Sequence, residues 1–121
     1  MTRTALNVMR DELLRDALGD CLSLSHVDGI AARTCPNDTL SKQQELVLRV
    51  IESLLTDELV VAGDIVGASD ERVEPWPLSV DEIVARIRER YVDHHDDRNW
   101  VFSTWFALTE TGEDTARELQ T

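Results

Sequence analysis

The longest regular pattern of apolar residues in the chain lies within residues 41–66. In its first part, apolar residues recur at three- and four-residue spacing, which is typical of one buried face of an α-helix. These residues are Leu46, Val47, Val50, Ile51, Leu54 and Leu55. Ser41 and Gln44 fit a capping box at the start of this helix, and Thr39 is an alternative cap. The segment therefore predicts a buried helix that leads directly into a strand.

Two stretches of the chain favour strands. Residues 59–66 are mostly β-favouring and apolar, and Gly63 within them predicts a bulge or a bend. Residues 67–77 predict a loop, because they are acidic and contain Pro75 and Pro77. In residues 100–108, apolar and aromatic side chains alternate, and both faces carry an aromatic residue. This second strand is therefore predicted to be covered in part on both faces.

Helical spacing also recurs in the remaining parts of the chain. A first helix is predicted over residues 5–18, with Gly19 ending it, and a second helix from Ser23 or Ser25 to Arg33. A later helix begins after Ser79, whose capping box is completed by Glu82. Thr109 is predicted to cap a short helix at the end of the chain.

Two segments carry a resemblance to a known class of domain. Residues 49–60 resemble the end of a recognition helix that passes into a wing strand, and residues 106–112, Phe-Ala-Leu-Thr-Glu-Thr-Gly, resemble the segment that closes the wing in MarR-type regulators. The resemblance to a winged helix-turn-helix domain implies an α+β fold, with helices packed on a small antiparallel β-hairpin. A further helix would be inserted in the wing.

In this interpretation the chain is one winged-helix-like domain, residues 1–121, in which three consecutive parts follow the first helices. The first helices support the central helix and strand, residues 41–66. The wing insert with its helix follows at residues 67–99, and the returning strand and last helix occupy residues 100–119. A chain of 121 residues is long enough to bury a core without disulfides or a structural metal.

Charge is the most informative bulk property. The chain has 24 acidic and 12 basic side chains, a formal net charge of −12, and residues 59–121 carry 14 of the acidic and six of the basic ones. Such an excess repels a phosphate backbone and favours a basic partner. It also serves solubility in many acidic proteins. Binding of a basic protein is thus favoured over binding of nucleic acid.

A small acidic interaction protein is the leading functional hypothesis. In size and charge the chain looks like immunity proteins or antitoxins, which block a basic toxin enzyme by occupying its cleft. The expected contact residues lie in the insert, where Trp76 between two prolines could provide a rigid aromatic contact or pack beneath its own loop. The full predicted set is Asp70, Glu71, Glu74, Trp76, Asp96 and Asp97.

The alternative hypothesis is a DNA-binding transcriptional regulator of the winged-helix class. Its contacts would come from the central helix, through Lys42, Gln43 and Arg49. A DNA-binding surface needs several basic side chains on one face to contact phosphates. Residues 1–58 are the less acidic half of the chain, and only a face assembled from them would provide such side chains. These are Arg3, Arg10, Arg33, Lys42 and Arg49. The acidic residues of the central helix oppose this hypothesis.

No motif in the sequence predicts catalysis or a cofactor. Glycine-rich phosphate loops, nucleophile elbows and zinc-protease motifs are absent from the sequence, so a non-enzymatic protein without a cofactor is expected. Two groups of side chains could in principle bind metal, namely Cys21 with His26 and Cys35, and His94 with His95. The spacing of the first group fits no standard zinc pattern, and the adjacent residues of the second group are expected to point in different directions on a solvated loop, so no metal site is predicted.

The sequence also supports expectations about location and assembly. It contains no apolar run of membrane-spanning length, and its first residues resemble the start of an amphipathic helix rather than a signal peptide. A cytoplasmic protein with no membrane contact and two free thiols is therefore expected. A homodimer is a further candidate, with the first helix or the aromatic strand as its interface, although the same residues could form the internal core.

Overall fold

The computed structural model describes residues 3–120 and has an α+β fold, as predicted. Within these residues, five α-helices accompany one four-stranded antiparallel sheet. A π-helical turn and a 3₁₀ helix follow the fourth α-helix. The elements are α1 Ala5–Ala17, β1 Leu22–Ser23, α2 Leu24–Thr34, α3 Leu40–Thr56, β2 Val60–Val66, β3 Arg72–Pro75, α4 Val80–Arg88, the π-helix Glu89–Asp93, the 3₁₀ helix Arg98–Phe102, β4 Trp105–Leu108 and α5 Glu110–Leu119. Met1, Thr2 and Thr121, which the predicted domain includes, lie outside the described residues.

Helix α3 is the central element of the core. Its buried residues are Gln44, Leu46, Val47, Leu48, Val50, Ile51, Leu54 and Leu55, and α1, α2 and α4 all pack against it. Of the two predicted caps the structure uses Thr39, whose side chain accepts a hydrogen bond from the backbone N–H of Lys42 at 3.2 Å. The cap at Ser41 is therefore wrong, because Ser41 already lies within the first helical turn.

The end of α3 turns the chain sharply into β2. Glu58 adopts a left-handed backbone conformation with φ of 58°. This conformation lets the N–H of Glu58 bond the carbonyl of Leu55, and the N–H of Leu59 bond the carbonyl of Leu54. The pair of bonds is a Schellman motif, which satisfies carbonyls that the end of a helix leaves without partners. The predicted passage from helix to strand is thus confirmed.

The sheet has the strand order β1-β4-β2-β3, with every neighbouring pair antiparallel. The predicted pairing of the returning strand with the strand after α3 is confirmed, since Val61 lies opposite Ala107. Helices cover the inner face, where Leu22, Ala62 and Phe106 are buried. The sheet is larger than the predicted hairpin because β1 and β3 add a strand at each edge.

Three sequence predictions about strands are wrong in detail. Residues 67–77 were expected to form a loop but contain β3, which forms a hairpin with β2. The strand expected over residues 100–108 is confined to β4, because residues 98–102 form a 3₁₀ helix that turns Trp100 into the core. Gly63 is no bulge. It pairs in register with strands on both sides, and a Cβ there would lie 1.9 Å from the Glu74 carbonyl oxygen.

Helix α4 lies along α3. Its predicted capping box is present, with Ser79 and Glu82 bonding reciprocally at 3.2 and 3.0 Å. Arg88 at its end forms two hydrogen bonds with the carboxylate of Glu45 on α3, at 2.6 and 3.1 Å. The buried Gln44 side chain donates to the Tyr91 carbonyl at 3.1 Å. The polypeptide between β3 and β4 is thus fixed against the central helix.

The start of α5 packs closely against the turn after α3. The Thr109 hydroxyl accepts a hydrogen bond from the Gly112 N–H at 3.0 Å, as expected of a helix cap, and donates one to the Glu58 carbonyl at 2.6 Å. A Cβ on Gly112 would lie 1.9 Å from the Leu59 carbonyl oxygen. Glycine is therefore the residue that permits this approach of helix and strand.

We expect Gly112→Ala to lower the free energy of unfolding by about 1–3 kcal/mol, the usual range for overpacking, because the added methyl group meets rigid backbone. Gly29→Ala is the matched control: Gly29 lies within α2, and a Cβ there would have only the Arg33 guanidinium as a neighbour, at 3.5 Å. It should raise stability by about 0.5–1 kcal/mol. Urea unfolding curves with equal slopes test both values. Equal stability of the two variants would contradict the tight contact.

Candidate interaction surfaces

Five of the six predicted contact residues are exposed. Asp70 and Glu71 lie in the turn of the β2–β3 hairpin, and Glu74 lies on β3 directly opposite Asp64. Asp96 and Asp97 belong to a different element, the loop before the 3₁₀ helix, where Asp97 accepts a hydrogen bond from the Asn99 N–H at 3.1 Å. The predicted set is therefore divided between a hairpin and a loop.

The sixth predicted residue, Trp76, is buried. Its backbone N–H donates to the Ala62 carbonyl at 3.0 Å, which extends the β2–β3 pairing by one residue. Its side chain is 8% exposed, and the Arg86 guanidinium carbon lies 4.2 Å from the centre of its ring. Of the two alternatives for Trp76, the structure shows packing within its own chain. Trp76 thus joins the hairpin to α4 and offers little surface to a partner.

A groove of about 390 Å³ lies on the outer face of the sheet. The hairpin curls over this face, so that β3 contacts β4 although β2 lies between them in the sheet order. The apolar lining of the groove includes Val61, Val73 and Ala107. Its charged side chains are three acids and one base: Asp20, Glu71, Glu113 and Arg72. We call this feature the outer groove.

The walls of the outer groove carry more acidic than basic side chains. Burial raises the pKa of the Cys21 thiol, and the neighbouring charges of Asp20 and Glu71 raise it further. Glu113 lies 3.6 Å from the guanidinium of Arg117, an exposed pair of the kind that contributes little to stability. Of the four charged residues, only Glu71 belongs to the predicted contact set. Asp20 and Glu113 were missed because they follow α1 and lie in α5, and only the tertiary fold brings them beside the hairpin.

Two aromatic residues that were not in the predicted contact set, Phe102 and Trp105, lie at the surface. Phe102 is 67% exposed, and its ring stacks on that of Trp105 with centres 6.0 Å apart and planes inclined by 14°. The Trp105 indole donates to the Phe102 carbonyl at 3.2 Å. Because side chains alternate along a strand, Trp105 lies on the opposite face from the buried Phe106, and hence on the same face as Ala107 of the outer groove.

The residues proposed for DNA contact lie near one another on α3, but their surroundings are mixed in charge. Lys42 and Arg49 line a groove of about 370 Å³ that Asp38 and Glu45 also line. Within residues 3–120, neither cation has a carboxylate within 4 Å. Gln43 differs from both: its side chain donates to the Cys35 carbonyl at 2.8 Å. Gln43 is thus held at the end of α2.

The structure does not assemble the basic face that DNA binding requires. Arg3 pairs with Asp11, Arg10 pairs with Asp57, and Arg33 pairs with Glu12. Each of these three arginines is therefore matched by a carboxylate at 2.5–3.1 Å. The exposed side of α3 alternates in charge along Lys42, Glu45, Arg49 and Glu52.

The side chains that could in principle bind metal are not grouped as ligands. His26 lies 2.8 Å from a carboxylate oxygen of Asp16, and the ring of His95 stacks on Trp100. In the part of the chain that the structure describes, no three His, Cys, Asp or Glu side chains are grouped as metal ligands would be. A pocket of about 340 Å³ does lie beside the π-helix, lined by Arg90, His94, Asp97, Asn99 and Trp100.

The candidate dimer surfaces are largely used inside the molecule. The apolar side of α1, including Met9 and Leu13, is buried against the other helices, and Phe106 of the aromatic strand is 1% exposed. Of the aromatic residues in the predicted strand, Phe102 is exposed and Trp105 is half-buried, so these two remain accessible. Among the described residues, no helix combines the length and apolar character that crossing a bilayer requires.

Tyr91 holds the π-helix against α2. Its side chain is fully buried, and its hydroxyl donates to the Asp28 carboxylate at 2.5 Å. Its ring lies 4.9 Å from that of Trp100. Burial raises the pKa of Tyr91, and the hydrogen bond and the negative charge of Asp28 raise it further, because ionisation would place two negative charges side by side.

Comparisons with known proteins provide no relative from which a function could be transferred. The chain matches no protein-family model, no curated protein and no solved structure. The charges and contacts of the described residues are therefore the basis for a functional proposal.

We expect Tyr91, the only tyrosine of the chain, to make stability depend on alkaline pH. Its pKa is raised in the folded state above the unfolded value of about 10. The contribution of Tyr91 to the free energy of unfolding is therefore fully present below about pH 10. It is lost as pH rises above that value, because the unfolded chain then releases a proton that the folded chain retains. The tyrosinate absorbance should accordingly appear only on unfolding.

Tyr91→Phe serves as the control for this pH dependence. It should unfold more easily at neutral pH by about 1.5–3 kcal/mol, since a hydrogen bond to a charged group is lost. Its stability should also decline less steeply above pH 10 than that of the unchanged protein, although Cys21 and Cys35, whose pKa values are raised as well, still contribute. Ionisation of Tyr91 near pH 10 in the folded protein would contradict the burial.

Proposed function

We propose that this chain is a small, non-catalytic protein that binds a basic protein partner, in the manner of an immunity protein or antitoxin that blocks a toxin enzyme. The observation that carries the proposal is the outer groove, where three acidic side chains accompany one arginine. The net charge of −12 means that the molecule as a whole also attracts a positively charged partner. The predicted contact residue Glu71 lies in this groove, and Asp70 precedes it in the same turn.

The physical advantage of such a surface is the rate and selectivity of association. An acidic surface draws a basic cleft toward it, and electrostatic steering raises association rates above those of uncharged pairs. A cleft that normally binds nucleic acid or another anion would be occupied by the same attraction. Salt weakens this steering, because exposed charges are screened over about 10 Å at 0.1 M ionic strength.

The scaffold that we propose is a winged helix with an insert. Two features support it: β4 lies between β1 and β2, and Thr109 and Gly112 pack against Glu58 and Leu59. The two segments that carry the sequence resemblance therefore contact each other. The insert then comprises β3, α4, the π-helix and the 3₁₀ helix, and it would enlarge the wing of such a domain.

The insert also bears on the choice between protein and DNA. In a winged-helix regulator, α3 would be the recognition helix and would have to enter the major groove. Here α4 lies along α3, and Arg88 is bonded to the exposed Glu45. Glu45 and Glu52 would also approach phosphates. These contacts favour a protein partner.

A DNA-binding regulator remains the second candidate function. One observation favours it: Lys42 and Arg49 line the same groove and have no carboxylate partner within residues 3–120. Two such cations could contact neighbouring phosphates. Under this alternative the acidic outer groove would have no part in binding.

A matched pair of charge reversals separates the two functions. Glu71→Lys changes the outer groove, and Glu52→Lys makes the same change in charge on the exposed side of α3. The immobilised protein is exposed to a lysate of its source organism at low salt, with and without nuclease, and recovered proteins are identified by mass spectrometry. We expect a basic protein that survives nuclease and dissociates with salt. Glu71→Lys should weaken its retention by about threefold to tenfold, and Glu52→Lys should leave it unchanged.

The opposite pattern would support the regulator. Recovery of DNA, stronger with Glu52→Lys and lost with Lys42→Glu and Arg49→Glu, would contradict the protein-binding proposal. Equal retention by the Glu71→Lys and Glu52→Lys variants would show that the outer groove is not the contact surface. Thermal unfolding of each variant checks that all are folded.

A further inference from the structure

We infer that Phe102 and Trp105 form the aromatic contact site of the partner-binding face, and that this site takes an arginine side chain of the basic partner. The inference rests on the proposed function, because it names the partner group that the same face would bind. It assigns the aromatic role to Phe102 and Trp105, where the sequence had suggested Trp76. Exposure, rigidity and position are the three observations that support it.

The exposure of Phe102 is exceptional within this molecule. Among residues 3–120, the exposed large hydrophobic residues are Phe102, of which 67% is accessible to solvent, and Leu40, of which 51% is accessible. Every other tryptophan and phenylalanine is buried or half-buried. Covering an exposed aromatic ring releases water from apolar surface, and such residues contribute much of the energy of protein interfaces.

The pair is also held in one arrangement before any partner binds. The two rings are nearly parallel, and the Trp105 indole is bonded to the Phe102 carbonyl. The Ser103 hydroxyl donates to the Trp100 carbonyl at 2.8 Å, which fixes the turn between the 3₁₀ helix and β4. A contact site that is already ordered loses less conformational entropy on binding.

The position of the pair places it beside the acidic groove. Trp105 and Ala107 lie two residues apart on the same face of β4, which corresponds to about 7 Å along a strand. Ala107 lines the outer groove together with Asp20, Glu71 and Glu113. A partner segment that covers the aromatic pair would therefore reach the carboxylates within a few residues.

The combination of stacked rings and carboxylates favours arginine over other side chains. A guanidinium group stacks on aromatic rings and also forms paired hydrogen bonds with carboxylates, whereas lysine offers a strongly hydrated point charge. The chain itself contains such a contact, with Arg86 positioned 4.2 Å from the ring centre of Trp76. Nucleic acid bases also stack on aromatic rings, but the acidic groove would repel their phosphates.

A defined probe tests this inference without knowledge of the partner. Peptides that alternate arginine with glycine, or lysine with glycine, are titrated into the ¹⁵N-labelled protein, and the three tryptophan indole signals are followed. We expect the arginine peptide to bind more tightly and to shift the Trp105 indole signal. The signals of Trp76 and Trp100, which are buried, should remain in place.

Two truncations of exposed apolar side chains provide the matched comparison. Phe102→Ala should weaken binding of the arginine peptide by about tenfold, and Leu40→Ala, which removes the other exposed large side chain at the start of α3, should leave it unchanged. Both residues are exposed, so both variants should fold, as thermal unfolding would verify. Equal effects of the two truncations would overturn the inference.

The outcomes separate this inference from the function on which it rests. If Glu71→Lys weakens peptide binding and Phe102→Ala does not, the acidic groove binds the cation and the aromatic site is refuted. If the arginine peptide does not bind at all, or if neither variant changes its binding, both proposals fail. Preferential binding of a thymidine oligonucleotide over the arginine peptide would likewise overturn the inference.

Discussion

The contact between the turn after α3 and the start of α5 is the constraint on which the rest of the fold depends. Glu58 takes a left-handed conformation that costs free energy for any residue with a side chain. The Schellman bonds and the hydrogen bond from Thr109 offset that cost. Because the N–H of Thr109 also bonds the Leu59 carbonyl, the register of β2 and β4 is fixed at the end of their pairing where Val60 lies opposite Leu108.

With β2 and β4 fixed, the polypeptide between them must leave the sheet and return to it. It forms the edge strand β3 and then leaves the sheet through α4, and Tyr91 secures the return by reaching Asp28 on α2 while Trp100 packs on its ring. The same path covers part of α3 and carries the acidic hairpin turn over the outer face of the sheet. This polypeptide therefore shapes two surfaces at once, the exposed side of α3 and the outer groove.

The helices could be predicted well from the sequence because their signals are local. Caps such as Ser79 and Thr109 and the apolar spacing of α3 involve residues within one or two turns. The strands were predicted less well. The aromatic alternation of residues 100–108 suggested one strand, but burial of Trp100 against Tyr91 is a long-range requirement, and it turns residues 98–102 into a 3₁₀ helix.

The candidate site was even harder to predict from the sequence than the strands, because it depends entirely on long-range contacts. Net charge predicts the sign of the partner's charge. It cannot indicate which carboxylates lie together, because Asp20, Glu71 and Glu113 come from three segments far apart in the chain. Proline neighbours made Trp76 look like a rigid surface contact, but pairing with Ala62 directs its side chain inward. Phe102 was assigned to a strand covered on both faces, and the 3₁₀ helix instead leaves it exposed. The surface that a partner can use is thus decided by where β3 and the 3₁₀ helix end, which is a property of the whole fold.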